Sequence, residues 1–161
     1  MISAPCPVAY LLVYLSLRVP VAAILPPRSY VEDKELRNAP IISIVDDDES
    51  VRSALGSLVR SHGLGACTFG SAEEFLQSPH VDGTSCLITD LQMPGLSGVE
   101  LQSLLLARGY HMPIIIVTAF PEEPIKLRAM DAGALGFLCK LFESRVLLKL
   151  VDTALATGRA T

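Results

Sequence analysis

The sequence predicts an α/β fold: a doubly wound five-stranded parallel sheet with helices on both faces. Three observations point there. Five short apolar runs recur between residue 40 and residue 139. Each is followed by a stretch whose apolar residues return at spacings of three and four, the period of a helix. The runs themselves do not alternate apolar with polar, which suits parallel strands covered on both sides.

Ile41 to Val45 is the first run, and it ends in Asp46-Asp47-Asp48. Val51, Leu55, Leu58, Val59 and His62 then mark one helix face, and Gly63 stops the helix. Leu64 to Phe69 reads as the second strand. Ser71 with Glu74 makes a capping box for a short helix through Gln77, because each side chain can satisfy a free amide of the first turn. Cys86 to Thr89 is the third strand. Ser97 with Glu100 is a second capping box, opening a helix that carries Leu101, Leu104 and Leu105. Pro113 to Val117 is the fourth strand. Pro121 to Ala132 reads as a helix with proline in its first turn, closed by Gly133. Leu135 to Cys139 is the fifth strand, and Glu143 to Ala156 the last helix. The domain so defined spans residues 40–158.

Residues 1–39 differ in character. Val8 to Leu25 is an apolar segment of 18 residues interrupted by Arg18 and Pro20, and a charged linker, YVEDKELRNAP, follows. A membrane span normally needs about 20 apolar residues, and no positive charge precedes the run as a secretory signal would require. A membrane anchor, a signal-like segment and an upstream extension that is not part of the working protein all fit; the last is preferred. A cytoplasmic location is therefore expected, with anchoring through residues 8–25 as its alternative.

A net charge of −4 with scattered Lys and Arg offers no clustered basic surface, so direct nucleic-acid binding is not expected. The four cysteines, Cys6, Cys67, Cys86 and Cys139, form neither a CxxC pair nor a zinc spacing. Three of them, Cys67, Cys86 and Cys139, sit in apolar runs and read as buried reduced thiols. His62, His80 and His111 are isolated and read as helix-end and loop residues.

Ligands of doubly wound sheets sit beyond the carboxyl ends of the strands. There the first strand delivers Asp46 and Asp47, the third Asp90, the fourth Thr118 and the fifth Lys140. Crowded carboxylates repel unless a cation is shared among them, and short oxygen ligands suit Mg²⁺. A carboxylate beside a metal can attack a phosphoryl group, with Lys140 and the Thr118 hydroxyl available to its oxygens. Each residue also has a plainer use. Asp48 is expected to cap the first helix, Thr118 alone would be an ordinary strand end, Lys140 alone a solvated lysine, and Phe137 a core residue. Asp90 is hardest to explain so, because no helix begins beside it.

The segments IVDDDESVR, LITDLQMPGLSGVEL, IIIVTAF and GALGFLCKLF resemble the receiver domain of two-component response regulators, the CheY-like family. The resemblance covers residues 40 to about 157, and the intervals of 43, 28 and 22 residues separating Asp47, Asp90, Thr118 and Lys140 fit it. It implies a flavodoxin-like strand order 2-1-3-4-5 and a chain that is not an enzyme. Asp90 would take a phosphoryl group from a histidine kinase and signal by conformational switching. Asp46, Asp47 and Asp90 would hold Mg²⁺, together with the backbone carbonyl of Gln92. Thr118 and Lys140 would contact the phosphoryl group, and Thr118 and Phe137 would act as switch residues. The implied partners are a histidine kinase or phosphotransfer protein and a downstream protein, with homodimerisation on phosphorylation as a further mode. The chain resembles the single-domain members.

One departure is Leu141, where the family has proline after its lysine. The bond before that proline is typically cis. Before a non-proline residue a cis bond costs about 2.5–4 kcal/mol, so a trans Lys140–Leu141 bond is expected, with a shifted loop and a weaker contact of Lys140 with the phosphoryl group. Two rival readings stand beside the receiver. A haloacid-dehalogenase-like phosphohydrolase would use Asp46-x-Asp48, Thr118 and Lys140, but it needs a further acidic pair after the lysine and leaves Asp90 idle. A phosphorylation-independent interaction module of the same fold would need none of this chemistry.

Overall fold

A computed structural model describes residues 39–158; residues 1–38 and 159–161 lie outside the described residues, and the readings of the 8–25 segment fall there. The elements run β1 (Ile41–Val45), α1 (Glu49–Ser61), β2 (Gly65–Phe69), α2 (Ala72–Gln77), β3 (Thr84–Asp90), α3 (Gly98–Ala107), β4 (Ile114–Thr118), α4 (Glu123–Asp131), β5 (Gly136–Cys139) and α5 (Ser144–Gly158). All five strands pair in parallel in the order β2-β1-β3-β4-β5. The doubly wound sheet with the 2-1-3-4-5 order is thus what the chain forms.

Alternate residues of each strand serve opposite faces, because successive Cβ atoms point to opposite sides of a sheet. Val45, Leu87, Ile114 and Ile116 join Ala72 and Phe75 of α2, Leu101 and Leu105 of α3, and Ala129 of α4 in one core. Ile42, Ile44, Cys86, Ile88, Ile115 and Val117 join Leu55 and Val59 of α1 and Leu147, Val151 and Ala154 of α5 in the other. The absence of polar alternation in the strands follows, since both faces are buried under helices.

The helix ends explain several boundaries. Asp48 caps α1 by accepting from the amides of Ser50 and Val51, and Gly63 ends it with φ +80°. Ser97 and Glu100 form the full capping box of α3. The box expected at α2 is only half made: Ser71 accepts from the Glu74 amide, but the Glu74 carboxylate reaches past it to the Gly70 amide at 2.6 Å. Strand β3 is longer than expected because Thr84 is held at its start. Its hydroxyl donates to the His80 carbonyl and meets Ser43 at 2.7 Å, leaving Ser43 as the donor across the sheet. Asp90 is therefore the last residue of a strand, not the first of a loop. Of the thiols expected to be buried, Cys86 is, Cys67 is partly covered, and Cys139 is exposed because β5 is an edge strand at whose end it lies.

Candidate functional site

Parallel strands end on one edge, and the register decides which residues meet there. Val45 lies beside Thr89, Asp90 beside Val117, and Thr118 beside Cys139. Asp46, Asp90, Thr118 and Lys140 are accordingly brought to one place by backbone pairing alone. Carboxylate oxygens of Asp46, Asp47 and Asp90 all lie within 4.8 Å of one another.

Asp46 is almost fully buried and tightly held. Its amide donates to the Phe69 carbonyl, its carbonyl accepts from Arg52 Nη1 at 2.6 Å, and its Oδ1 accepts from the Asp48 amide at 2.9 Å. Its Oδ2 lies 3.0 Å from Lys140 Nζ, an ion pair set off the hydrogen-bond direction, so this buried oxygen has a charged neighbour but no well-aligned donor. Burial raises the Asp46 pKa, and the pull of Lys140 only partly offsets it. Asp47, next along, faces solvent.

Asp90 sits at the mouth of β3 with 6% of its surface exposed. Its Oδ1 accepts from the Gln92 amide at 3.2 Å and its Oδ2 from Lys140 Nζ at 2.6 Å. Burial disfavours the Lys140 ammonium, but the contacts with Asp90 and Asp46 outweigh it and raise the pKa, so the cation is kept. The helix after Asp90 comes unusually close: the Gly98 amide donates to the Leu91 carbonyl at 3.0 Å. A Cβ on Gly98 would collide with the Asp90 carbonyl oxygen, so only glycine lets α3 start there.

Thr118 is buried, but its hydroxyl is spent within its own turn. It donates to the Phe120 carbonyl at 3.3 Å and accepts from the Phe120 amide at 3.1 Å. Phe137 pairs with Ile116 across the sheet and packs, half-buried, against the α2–α3–α4 core. The Lys140–Leu141 bond is trans, as expected. Leu141 takes a φ of +80°, and this turn aims Lys140 at Asp90.

Two residues of the site were not singled out from the sequence. Arg52 holds the Asp46 carbonyl, and Glu73 on α2 accepts from the Leu96 amide at 3.0 Å. Both act on backbone atoms, Arg52 six residues back and Glu73 across 23 residues, so neither belongs to a capping or helical spacing. The rival hydrolase frame loses its parts. Asp48 is occupied as a helix cap, Glu143 pairs with Arg145, and Asp152 pairs with His62.

The donor set is all oxygen, and one ammonium does not balance three carboxylates. The misaligned Asp46 Oδ2 is a buried acceptor that a cation would satisfy. Hard oxygen ligands of this kind fit Mg²⁺.

Comparison with known proteins agrees with this geometry. A family model, the response regulator receiver domain, matches residues 42–152. Nodulation protein W of Bradyrhizobium diazoefficiens is 43% identical over 125 residues, 78% of this chain and 55% of that protein. The transcriptional regulatory protein FixJ of Azorhizobium caulinodans is 38% identical over 114 residues, 71% of this chain and 54% of that protein. The chain thus spans about half the length of the curated relatives it matches. Among solved structures, FixJ-N superposes with a TM-score of 0.66 at 34% identity, covering 73% of this chain and 94% of that one. The response regulator StyR gives 0.71 at 41%, covering 76% and 62%. Among the described residues no helix is long and apolar enough to cross a membrane. With this family match and these relatives, on this sheet and with its strand-end carboxylates bridged by a lysine, the chain belongs to the response regulator receiver domains, the phosphoacceptor signalling modules of two-component systems.

Proposed function

We propose that Asp90 is the phosphoacceptor, in a reaction assisted by Lys140 and requiring Mg²⁺. The carrying observation is the Lys140 ammonium held between Asp90 and Asp46 at 2.6 and 3.0 Å. An Asp90 oxygen attacks phosphorus; the O–P bond forms as the donor's N–P bond breaks, and the imidazole of a histidine kinase or phosphotransfer protein leaves. Lys140 then turns from the carboxylate to a phosphoryl oxygen. Thr118 would exchange its Phe120 partners for another phosphoryl oxygen, and Phe137 would follow as that loop moves. Asp46, Asp47, Asp90 and the Gln92 carbonyl would hold Mg²⁺, which when bound neutralises charge on the phosphoryl oxygens.

The signal would pass to a downstream protein, or to a second copy of the chain, through the shifted Thr118 and Phe137 segments. The net charge of −4 favours a protein partner over nucleic acid. A cytoplasmic location, where such kinases present their phosphohistidine, completes the reading. The domain doing this work is residues 40–158, with residues 1–39 outside it.

The test is labelling with a small acyl phosphate, read by intact mass. The wild-type chain should take one phosphoryl group only when Mg²⁺ is present, and Asp90→Asn should take none. Undiminished labelling of Asp90→Asn removes the assignment.

A further inference from the structure

The loop between β3 and α3 carries Gln92, and three of its hydrogen bonds bear on the inference. Two are local: the Gln92 amide on Asp90 Oδ1 and the Gly98 amide on the Leu91 carbonyl. The third comes from a different element. Glu73 Oε1, on α2, accepts from the Leu96 amide at 3.0 Å across 23 residues of sequence. Gly95 makes that approach feasible. It has φ +80°, and a Cβ there would lie 2.5 Å from Glu73 Oε1. The neighbouring carboxylate, Glu74, is turned the other way onto Gly70, so the two acidic side chains at the start of α2 have separate tasks. The Glu73 backbone amide and the Leu96 amide hold its carboxyl below the usual glutamate range, in keeping with an ionised acceptor.

We infer that Glu73 is a positioning residue: by holding the Leu96 amide it fixes the β3–α3 loop, and with it the Gln92 carbonyl, for the cation shared by Asp46, Asp47 and Asp90. The inference rests on the reading of that site given above. Glu73 touches neither the phosphoryl group nor the metal. It acts through backbone, as residues outside a metal's own ligands commonly do.

The test uses the full chain, with MgCl₂ titrated calorimetrically and backbone amide exchange followed without metal. Glu73→Ala should speed exchange at Leu96 and weaken Mg²⁺ binding by about tenfold. Labelling by the acyl phosphate should fall at low Mg²⁺ and recover when the metal is saturating, which a general loss of fold would not allow. Glu73→Gln keeps a carbonyl acceptor and should stay within about threefold of the wild type, since a neutral acceptor is weaker than a charged one. Gly95→Ala pushes the loop away from the opposite side and should weaken Mg²⁺ as Glu73→Ala does, so the decision does not depend on one variant folding. Unchanged Mg²⁺ affinity in Glu73→Ala, or equal weakening in Glu73→Gln, overturns the inference while the site reading stands. A wild-type chain that binds no Mg²⁺ overturns both.

Discussion

Lys140 Nζ lies 2.6 Å from Asp90 Oδ2 and 3.0 Å from Asp46 Oδ2, so one ammonium bridges carboxylates delivered by two different strands. In this arrangement the lysine occupies the negative potential that a divalent cation would otherwise relieve. Lys140→Ala leaves two buried carboxylates without their counter-charge. Its stability without metal should fall by about 1–3 kcal/mol, less than for a fully buried pair because the lysine is partly exposed. Added Mg²⁺ should then raise the melting temperature more in Lys140→Ala than in the wild type, since bound ligand stabilises the folded state by mass action. Thermal melts in chelator and in excess Mg²⁺ check this. Equal shifts in the two chains would show that lysine and metal do not share the site.

Much of this site was legible in the sequence because parallel strands do the positioning. Once five apolar runs are recognised, the residue after each run must fall on one edge, and Asp46, Asp90, Thr118 and Lys140 follow. Asp48 as a cap and Ser97 with Glu100 as a box were legible too, since capping is a matter of three or four residues. What was hidden depends on which backbone amide a side chain reaches. Glu73 gives no sign of its Leu96 partner, and Glu74 looked like a box residue until Gly70 proved the nearer amide. The state of Thr118 was hidden for a related reason: its Phe120 partners depend on how the following loop turns.

The cysteines give an independent check on the strand assignment. Burial pushes the Cys86 thiol up to about 12, whereas Cys139 is exposed at the end of β5. At pH 8 the Cys86 thiolate fraction should be roughly a thousandfold below that of an ordinary thiol. Iodoacetamide followed by peptide mapping should modify Cys139 quickly and Cys86 only after denaturation, with Cys6 resolved on its own peptide. Comparable native rates at Cys86 and Cys139 would contradict the burial of β3.

Among the described residues, two hydrophobic cores join all five strands to the helices on both faces. A chain beginning at Asn38 should therefore melt cooperatively. Its unfolding free energy should lie within about 2 kcal/mol of the full chain, against a typical total of 5–15. Chemical denaturation of the two chains measures the difference, and a larger loss would assign part of the core to the first 37 residues.

Leu141 is the sole non-glycine residue with positive φ among the described residues, at +80°, and its side chain is fully exposed. Left-handed backbone costs an L-residue roughly 1–2 kcal/mol, because Cβ crowds the following carbonyl oxygen. Nothing the side chain touches offsets that cost. The conformation is kept because it aims Lys140 at Asp90 through a trans bond. Leu141→Gly should then be stabilising, by about 0.5–1 kcal/mol after the greater chain entropy of glycine in the unfolded state is charged against it. Labelling of Asp90 should be unaffected, since the lysine need not move. Leu141→Pro behaves differently. Proline fixes φ near −65°, so the residue cannot take the present turn, and Lys140 is drawn away unless the whole β5–α5 loop is rebuilt. Before phosphorylation the Lys140–Asp90 contact is already 2.6 Å, so proline has no slack to remove there. Urea unfolding and acyl phosphate labelling of both variants separate the cases. A destabilised Leu141→Gly, or a Leu141→Pro that labels faster than the wild type, would show that the left-handed turn is not what holds Lys140 in place.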